Sequence, residues 1–133
     1  MRILAIDYGT KRCGLAISDP LGITAQPLCT IPSNDLLEKV KHFQSLYEIE
    51  KIILGFPIQL NGKEGMAAIA VKKVQNDIEK KTNIQVELVD ERLTTASVEK
   101  TLINADLSRK NRKKVIDKLA ATVLLQEYLK KMI

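Results

Sequence analysis

The sequence predicts an α/β domain built on a mixed β-sheet. The apolar run from Leu4 to Ile6 is unbroken, which is typical of a strand buried on both faces. A second unbroken run, Ile52 to Leu54, lies between two segments with helical spacing, and this order is typical of parallel strands joined by helical crossovers. A chain of 133 residues fits one domain, since it buries roughly 65 to 70% of its unfolded surface.

Three antiparallel strands are expected at the start of the chain. The first ends at Asp7, and residues 12–18 pair back with it after a turn that contains glycine. Residues 19–22 form a second turn, and residues 23–31 form the third strand. Pro27 has no N–H group to donate to a neighbouring strand, so it predicts an edge position for this strand.

Helices and parallel strands are expected next. Pro32-Ser33-Asn34 offers a helix cap. The apolar residues that follow share one helical face: Leu36, Leu37, Val40, Phe43 and Tyr47. His42 lies at the edge of that face and is interpreted as a solvated side chain. Residues 51–56 are interpreted as a buried strand, which ends at the Gly-Phe-Pro sequence.

A polar loop over residues 58–65 leads into a second helix. Its inward residues are Ala67, Ala70, Val71, Val74 and Ile78. Residues 84–89 alternate as a further strand. Thr95 is a plausible cap for a short helix that extends to Leu102, residues 104–111 form a polar connection, and the last helix runs from about residue 113 to 130.

Composition and charge favour a polyanionic partner in a reducing compartment. Lys and Arg outnumber Asp and Glu by 21 to 16, which gives a sequence pI near 9.2. The two cysteines have no metal-type spacing and are expected to be reduced core residues. The N-terminus resembles a strand rather than a leader, and no apolar stretch could cross a bilayer. The sequence therefore predicts a cytoplasmic, soluble protein with no membrane partner.

Three acids are expected to converge. Asp7 and Glu91 each end a strand, and the carboxyl ends of parallel strands lie along one sheet edge. Asp117 lies on the core face of the last helix, because small or apolar residues follow it at i+3, i+4 and i+7. Two ordinary roles stay open: Asp before glycine is a common turn signal, and Asp117 could pair with Lys113 across one helical turn.

Carboxylates held so close together require a counter-charge. Each raises the pKa of the others, and a hard divalent cation, Mg²⁺ or Mn²⁺, removes that conflict. Two such ions could bind the attacking and leaving oxygens of a phosphodiester, which gives hydrolysis without a protein nucleophile. The acids thus favour a metal-dependent nuclease with two ions.

Basic residues from several segments point to the same edge. Charged runs are usually solvated faces, but here they converge with the acids, which favours a nucleic-acid groove. Thr94 and Thr95 could hold a phosphate, although helix capping is their commoner role. The candidate nucleic-acid-binding residues are Lys11, Arg12, Lys63, Arg92, Thr94, Thr95, Arg109, Lys110, Arg112, Lys113 and Lys114.

Four motifs in fixed order resemble the YqgF family. They are IDYGTKRCGLAISD, GFPIQLNGKEG, VDERLTT and DKLAATVLLQEYL. The family consists of small ribonuclease H-like proteins, described as Holliday-junction resolvases and, in bacteria, as nucleases that mature the 5′ end of pre-16S rRNA in ribosome biogenesis. The resemblance implies a five-stranded mixed sheet flanked by helices. It also implies that Asp7, Glu91 and Asp117 are the metal-binding catalytic acids. Asp90 is the less favoured ligand, because side chains alternate along a strand and its own should point to the opposite side from that of Glu91.

Other functions stay open at this point. The family description leaves both precursor rRNA and four-way DNA junctions as substrates, and a non-catalytic RNA-binding module would keep the same fold and basic rim. Asp-Tyr-Gly-Thr also resembles the first phosphate hairpin of sugar kinases, but the chain has no glycine after Gly65 for a second nucleotide-binding turn. The expected assembly is a monomer or a weak homodimer; a junction resolvase needs two symmetric sites.

Overall fold

The described residues form a five-stranded sheet with helices on both faces. In this computed structural model they are 2–56, 66–90 and 109–132, with side chains described over 2–55, 69–89 and 119–132. The strands are β1 (Arg2–Tyr8), β2 (Arg12–Ser18), β3 (Ala25–Pro32), β4 (Ile49–Phe56) and β5 (Val86–Asp90). The helices are α1 (Leu36–Leu46), α2 (Met66–Thr82) and α3 (Arg109–Lys131). None of these helices is both long and apolar enough to span a bilayer.

The strand order confirms the predicted mixed sheet. The order across the sheet is β3-β2-β1-β4-β5. β1 pairs antiparallel with β2, and β2 antiparallel with β3, whereas β1–β4 and β4–β5 are parallel pairs. The bounds of β2 are as predicted. β3 is an edge strand, as Pro27 indicated, although it begins two residues later than expected, and β4 begins two residues earlier.

Side chains of the central strand alternate between two cores. Leu4 and Ile6 pack with residues of α1 and α2 on one face of the sheet. Ile3 and Ala5 pack on the other face, against Ala121, Leu124, Leu125 and Leu129 of α3. Residues of β1 with odd numbers therefore face α3, and those with even numbers face α1 and α2.

The helical faces agree with the predicted pattern where the side chains are described. Leu36, Val40 and Phe43 of α1 are buried, as are Val71 and Ile78 of α2. Tyr47 packs on the same core from the residue immediately after α1. His42 is exposed, as expected.

Two expectations about helix starts are wrong. The predicted cap at Pro32-Ser33-Asn34 does not form: a 3₁₀ turn (Ser33–Asp35) precedes α1, and neither start has a side-chain cap hydrogen bond. The Ser33 hydroxyl instead donates to the Gly9 carbonyl oxygen. Helix α3 begins at Arg109 rather than near Lys113, because the intervening residues include good helix formers and neither Gly nor Pro. The predicted loop 58–65, the helix after Thr95 and residues 104–108 of the connection lie outside the described residues.

The β2–β3 turn is organised by one carboxylate. The side chain of Asp19 accepts hydrogen bonds from the N–H groups of Leu21, Ile23 and Thr24, at 3.3, 2.7 and 2.8 Å. Gly22 takes the left-handed conformation that the turn requires, with φ of 72°. The N–H of Thr24, followed by those of Ile23 and Leu21, holds the pKa of the Asp19 carboxyl below its ordinary value of 3.8.

We expect this turn to make the stability of the protein depend on pH in the acid range. Since folding lowers the pKa of Asp19, its contribution is fully present above pH 3.8 and is lost as the pH falls through the lower folded value. The difference in free energy of unfolding between the wild type and Asp19→Asn should therefore be largest above pH 3.8 and shrink below it. Urea unfolding at a series of pH values measures this difference.

Glu48→Gln is the matched control, because Glu48 is also an exposed acid and no described group donates a hydrogen bond to its carboxylate. Its difference from the wild type should vary less with pH. An Asp19→Asn difference that stays constant across the acid range would contradict the role given to the carboxylate.

Candidate active site

Asp7 lies at the carboxyl end of the central strand. It pairs with Gly14 of β2 and is half-buried. Its odd number places its side chain on the α3 face, in line with Ile3 and Ala5. Within the described part of the chain, no hydrogen-bond donor and no cation contacts its carboxylate. A half-buried carboxylate without such a partner is costly, so its oxygens fit the donor set of a hard divalent cation.

The turn after Asp7 contains two of the predicted basic residues, four and five positions after it in the chain. Lys11 and Arg12 are both exposed at the start of β2. A Cβ at Gly9 would lie 2.6 Å from the Arg12 carbonyl oxygen, so this turn closes too tightly for any side chain at position 9. The glycine expected from the sequence is therefore required by the geometry of the turn.

The other predicted site residues fall into two groups. Asp117 lies within α3, but its side chain is outside the described set, and the same holds for the basic residues Arg109, Lys110, Arg112, Lys113 and Lys114. The remaining predicted residues are outside the described residues altogether: Lys63, Glu91, Arg92, Thr94 and Thr95. Among the described side chains, which do not include those of Glu91 and Asp117, no three His, Cys, Asp or Glu residues are grouped for a metal.

Two polar contacts fix α3 along the sheet. The Lys51 ammonium donates to the Tyr128 hydroxyl oxygen at 2.6 Å, and Lys51 is paired with Ile3 of β1. Two residues earlier in α3, the side-chain oxygen of Gln126 accepts a hydrogen bond from the N–H of Ala25 at 3.3 Å. These contacts join residues 77 and 101 positions apart, so no local sequence pattern predicts them.

Glu87 of β5 completes a polar cluster with Lys51 and Tyr128. One carboxylate oxygen of Glu87 is buried and lies 3.3 Å from the Lys51 nitrogen, without the geometry of a hydrogen bond, so this contact is an ion pair. Tyr128, and then Lys51, hold the pKa of the Glu87 carboxyl below its ordinary value. The pKa of Lys51 is raised by Tyr128 and then by Glu87, and burial raises the pKa of the Tyr128 hydroxyl.

The sheet order and flanking helices define the ribonuclease H-like fold class. A crystal structure of Fowlpox virus resolvase with Holliday junction DNA covers 100% of this chain and 99% of its own, with a TM-score of 0.57 and 17% identity. Thermus thermophilus RuvC in complex with a Holliday junction substrate matches 99% of this chain and 96% of its own, with a TM-score of 0.55 and 12% identity. At these identities the likeness establishes the fold alone.

The chain belongs to the family described as "RuvX: Holliday junction resolvase", whose model matches residues 1–131. Proteins provisionally named pre-16S rRNA nuclease are 46% identical to it. The one from Heliobacterium modesticaldum aligns over 97% of this chain and 89% of its own length, and the one from Listeria innocua over 97% of each. The predicted YqgF-family membership and ribonuclease H-like fold are therefore confirmed.

We expect the contact between Lys51 and Tyr128 to stabilise the fold by about 1 kcal/mol, the usual net value of one intramolecular hydrogen bond. A double-mutant cycle with Lys51→Met and Tyr128→Phe, read by urea unfolding at neutral pH, should give a coupling energy of about that size.

The exposed pair Lys130 and Glu127, separated by 3.5 Å within α3, is the matched control. Its coupling between Lys130→Met and Glu127→Gln should not exceed about 0.5 kcal/mol, because solvent screens it. If the coupling energies of the Lys51–Tyr128 and Lys130–Glu127 pairs were equal, the contact between Lys51 and Tyr128 would not be a specific attachment of α3 to the sheet.

Proposed function

We propose that this protein is a metal-dependent nuclease that hydrolyses phosphodiester bonds and matures the 5′ end of pre-16S rRNA in the cytoplasm. The observation that carries the proposal is the half-buried carboxylate of Asp7, which ends the central strand on the α3 face without a partner among the described groups. The 46% identity to relatives with that provisional name supports the substrate. Two free cysteines, Cys13 and Cys29, fit a reducing cytoplasm.

The register of α3 supports Asp117 as the second acid of the site. Tyr128 is fixed at the level of Ile3 through Lys51. From Tyr128 back to Asp117, a helix covers about 16 Å, and from Ile3 to Asp7 a strand covers about 13 Å. Leu129 and Met132 line a cavity together with Ile3 and the β2–β3 turn, whereas Ala121 belongs to the core that includes Ala5. We infer from this that α3, followed backward from Tyr128, extends toward the end of β1 that carries Asp7. We therefore infer that positions 7 and 117 are at a similar height on one face.

The alternation of β5 supports Glu91 as the third acid. Val89 packs in the α3 core, and Glu87 reaches Tyr128 on the same face. Position 91 falls on that face if the strand pleat continues, whereas Asp90 falls on the other. Gly55, which precedes the end of the intervening strand β4, has no side chain to fill the space between the strand ends.

In this proposal Asp7, Glu91 and Asp117 hold Mg²⁺ or Mn²⁺, as two ions. When bound, such ions supply Lewis-acid stabilisation of phosphoryl oxygens and lower the pKa of water. The protein contributes the rigidity of the site: Asp7 is attached to a strand paired on both sides, and its carboxylate is kept free of competing donors in the described structure. The two small residues Ala120 and Ala121 allow α3 to lie close to the sheet.

Basic residues provide the nucleic-acid contacts. Lys11 and Arg12 lie in the turn next to Asp7, and the first turn of α3 contains basic residues and no acid. Cations at a helix N-terminus oppose the helix dipole and each cost about 0.3 to 1 kcal/mol. A bound phosphate would relieve this repulsion and accept hydrogen bonds from the helix N–H groups. Lys63, Arg92, Thr94 and Thr95 are proposed to extend the same surface.

The second candidate function is resolution of four-way DNA junctions, which the description of the matching family favours. That activity requires two sites related by a two-fold axis, so it requires a dimer. Trimming of one RNA strand requires a single site. Cleavage of both substrates, together with the mass of the active species in solution, distinguishes the two functions.

We expect Asp7→Asn to lower the cleavage rate by at least about 100-fold, since it removes a charge that acts at the reaction centre. In EDTA the variant should be as stable as the wild type or more stable, because the lost charge is half-buried and has no described partner. Cleavage of precursor rRNA, single-stranded RNA and a four-way junction with Mg²⁺ or Mn²⁺ measures the first effect, and urea unfolding measures the second.

Asp35→Asn serves as the control, since Asp35 is an exposed acid at the start of α1 on the other face of the sheet. It should retain wild-type cleavage. An Asp7→Asn protein that is destabilised and only slightly slower would identify Asp7 as a structural acid, and the nuclease proposal would then be wrong.

A further inference from the structure

Ser33 makes two hydrogen bonds to the β1–β2 turn. Its hydroxyl donates to the Gly9 carbonyl oxygen at 2.6 Å, and its N–H donates to the Lys11 carbonyl oxygen at 2.9 Å. The Cys13 thiol approaches the same hydroxyl at 3.5 Å from the buried side. One residue thus engages two of the three consecutive carbonyl groups in a turn that lies 24 positions earlier in the chain.

These contacts are not explained by the local structure around Ser33. The residue is the first of a 3₁₀ turn whose N-cap position is Pro32, and its hydroxyl makes no cap hydrogen bond to that turn. The hydroxyl is directed to the turn after Asp7 instead. A serine at this position therefore serves the distant turn rather than the start of its own helix.

The two hydrogen bonds of Ser33 also determine which backbone groups of the turn point away from Ser33. In a trans peptide the N–H points away from the carbonyl, so fixing the Gly9 carbonyl toward Ser33 directs the Thr10 N–H to the opposite side. Neither Thr10 N–H nor Lys11 N–H has an acceptor in the described structure, and both side chains are exposed. The amide donors of Thr10 and Lys11 and the ammonium group of Lys11 belong to one turn, three and four residues after Asp7, and this combination suits a phosphate.

We propose that Ser33 is a positioning residue: it holds the Gly9–Lys11 turn in one conformation, so that Lys11 meets a phosphate of the nucleic acid at a fixed distance from Asp7. The inference rests on the proposed function, because it assumes a nucleic-acid substrate. It adds a residue from the β3–α1 connection that none of the sequence motifs assigns to binding. Ser33 acts through Lys11 and does not itself contact the substrate.

The test is binding of a fluorescein-labelled single-stranded RNA in EDTA, measured by anisotropy over a range of salt concentrations. Ser33→Ala should weaken binding by about threefold to tenfold, the effect of losing one ordered contact. It should also reduce the slope of log K against log salt concentration by about one phosphate contact. In a Lys11→Gln background, Ser33→Ala should change neither quantity further, because the two residues act as one unit.

Two controls separate positioning from general destabilisation. Ser45→Ala removes another hydroxyl that donates to a backbone carbonyl, that of His42, far from the turn. Ile78→Val loosens the core under α2 and lowers the melting temperature without touching the turn. Both should bind RNA with wild-type affinity and salt slope. Faster hydrogen exchange of the backbone N–H at position 33, which donates to the Lys11 carbonyl oxygen, in Ser33→Ala alone would support the same conclusion.

The outcomes distinguish this inference from the proposed function. A wild-type protein that neither binds nor cleaves nucleic acid would overturn the proposed function, and this inference with it. A wild-type protein that binds RNA, with Ser33→Ala equal to it in affinity and slope, would overturn only the role of Ser33. The role of Ser33 would also be wrong if Ile78→Val lost as much RNA affinity as Ser33→Ala. It would be wrong as well if Ser33→Ala weakened binding just as much in the Lys11→Gln background.

Discussion

The burial of β1 on both faces is the constraint on which the rest of the structure depends. Residues Ile3 to Ile6 are at most 4% exposed, and strands pair with both edges of β1. Alternate side chains of this one strand therefore belong to two separate cores, one under α1 and α2 and the other under α3. A strand held on four sides cannot shift its register without exposing both cores, so the carboxylate of Asp7 has a position that is fixed relative to every layer.

Much of this arrangement could be predicted from the sequence because its signals are local. The unbroken apolar run of β1 and the turn after Asp7 are enough to set both strands, and Pro27 identified the edge. The start of α3 was misplaced because residues 109–112 are polar all round and carry no apolar periodicity, so only their helix propensity indicated a helix. The contacts of Ser33 with Gly9 and of Lys51 with Tyr128 were missed because each joins distant parts of the chain. Asp7 was correctly placed at a strand end, whereas the convergence of Glu91 and Asp117 with it stays a prediction.

Stability and function make opposite demands at the start of α3. The absence of any acid in its first turn, beside several cations, is unfavourable for an isolated helix. The compensation lies at the other end, where Leu124, Leu125 and Leu129 are buried and two polar contacts attach the helix to β3 and β4. A helix anchored so firmly through its C-terminal half can tolerate an electrostatically unfavourable N-terminus, which the proposed function uses to bind phosphate.

Contacts far from the proposed site also determine how precisely its acids are positioned. If α3 behaves as a rigid rod, its height on the sheet is set where Tyr128 meets Lys51, and that height carries over to Asp117 about three turns earlier. The turn next to Asp7 is held in the same way, by Ser33 from outside the hairpin. Tyr128 and Ser33 have no contact with the proposed reaction centre. Each nevertheless restricts the motion of a segment that the proposal places there. Carboxylates that must share metal ions tolerate little displacement, so a site assembled from separate segments needs such remote contacts as much as it needs the acids themselves.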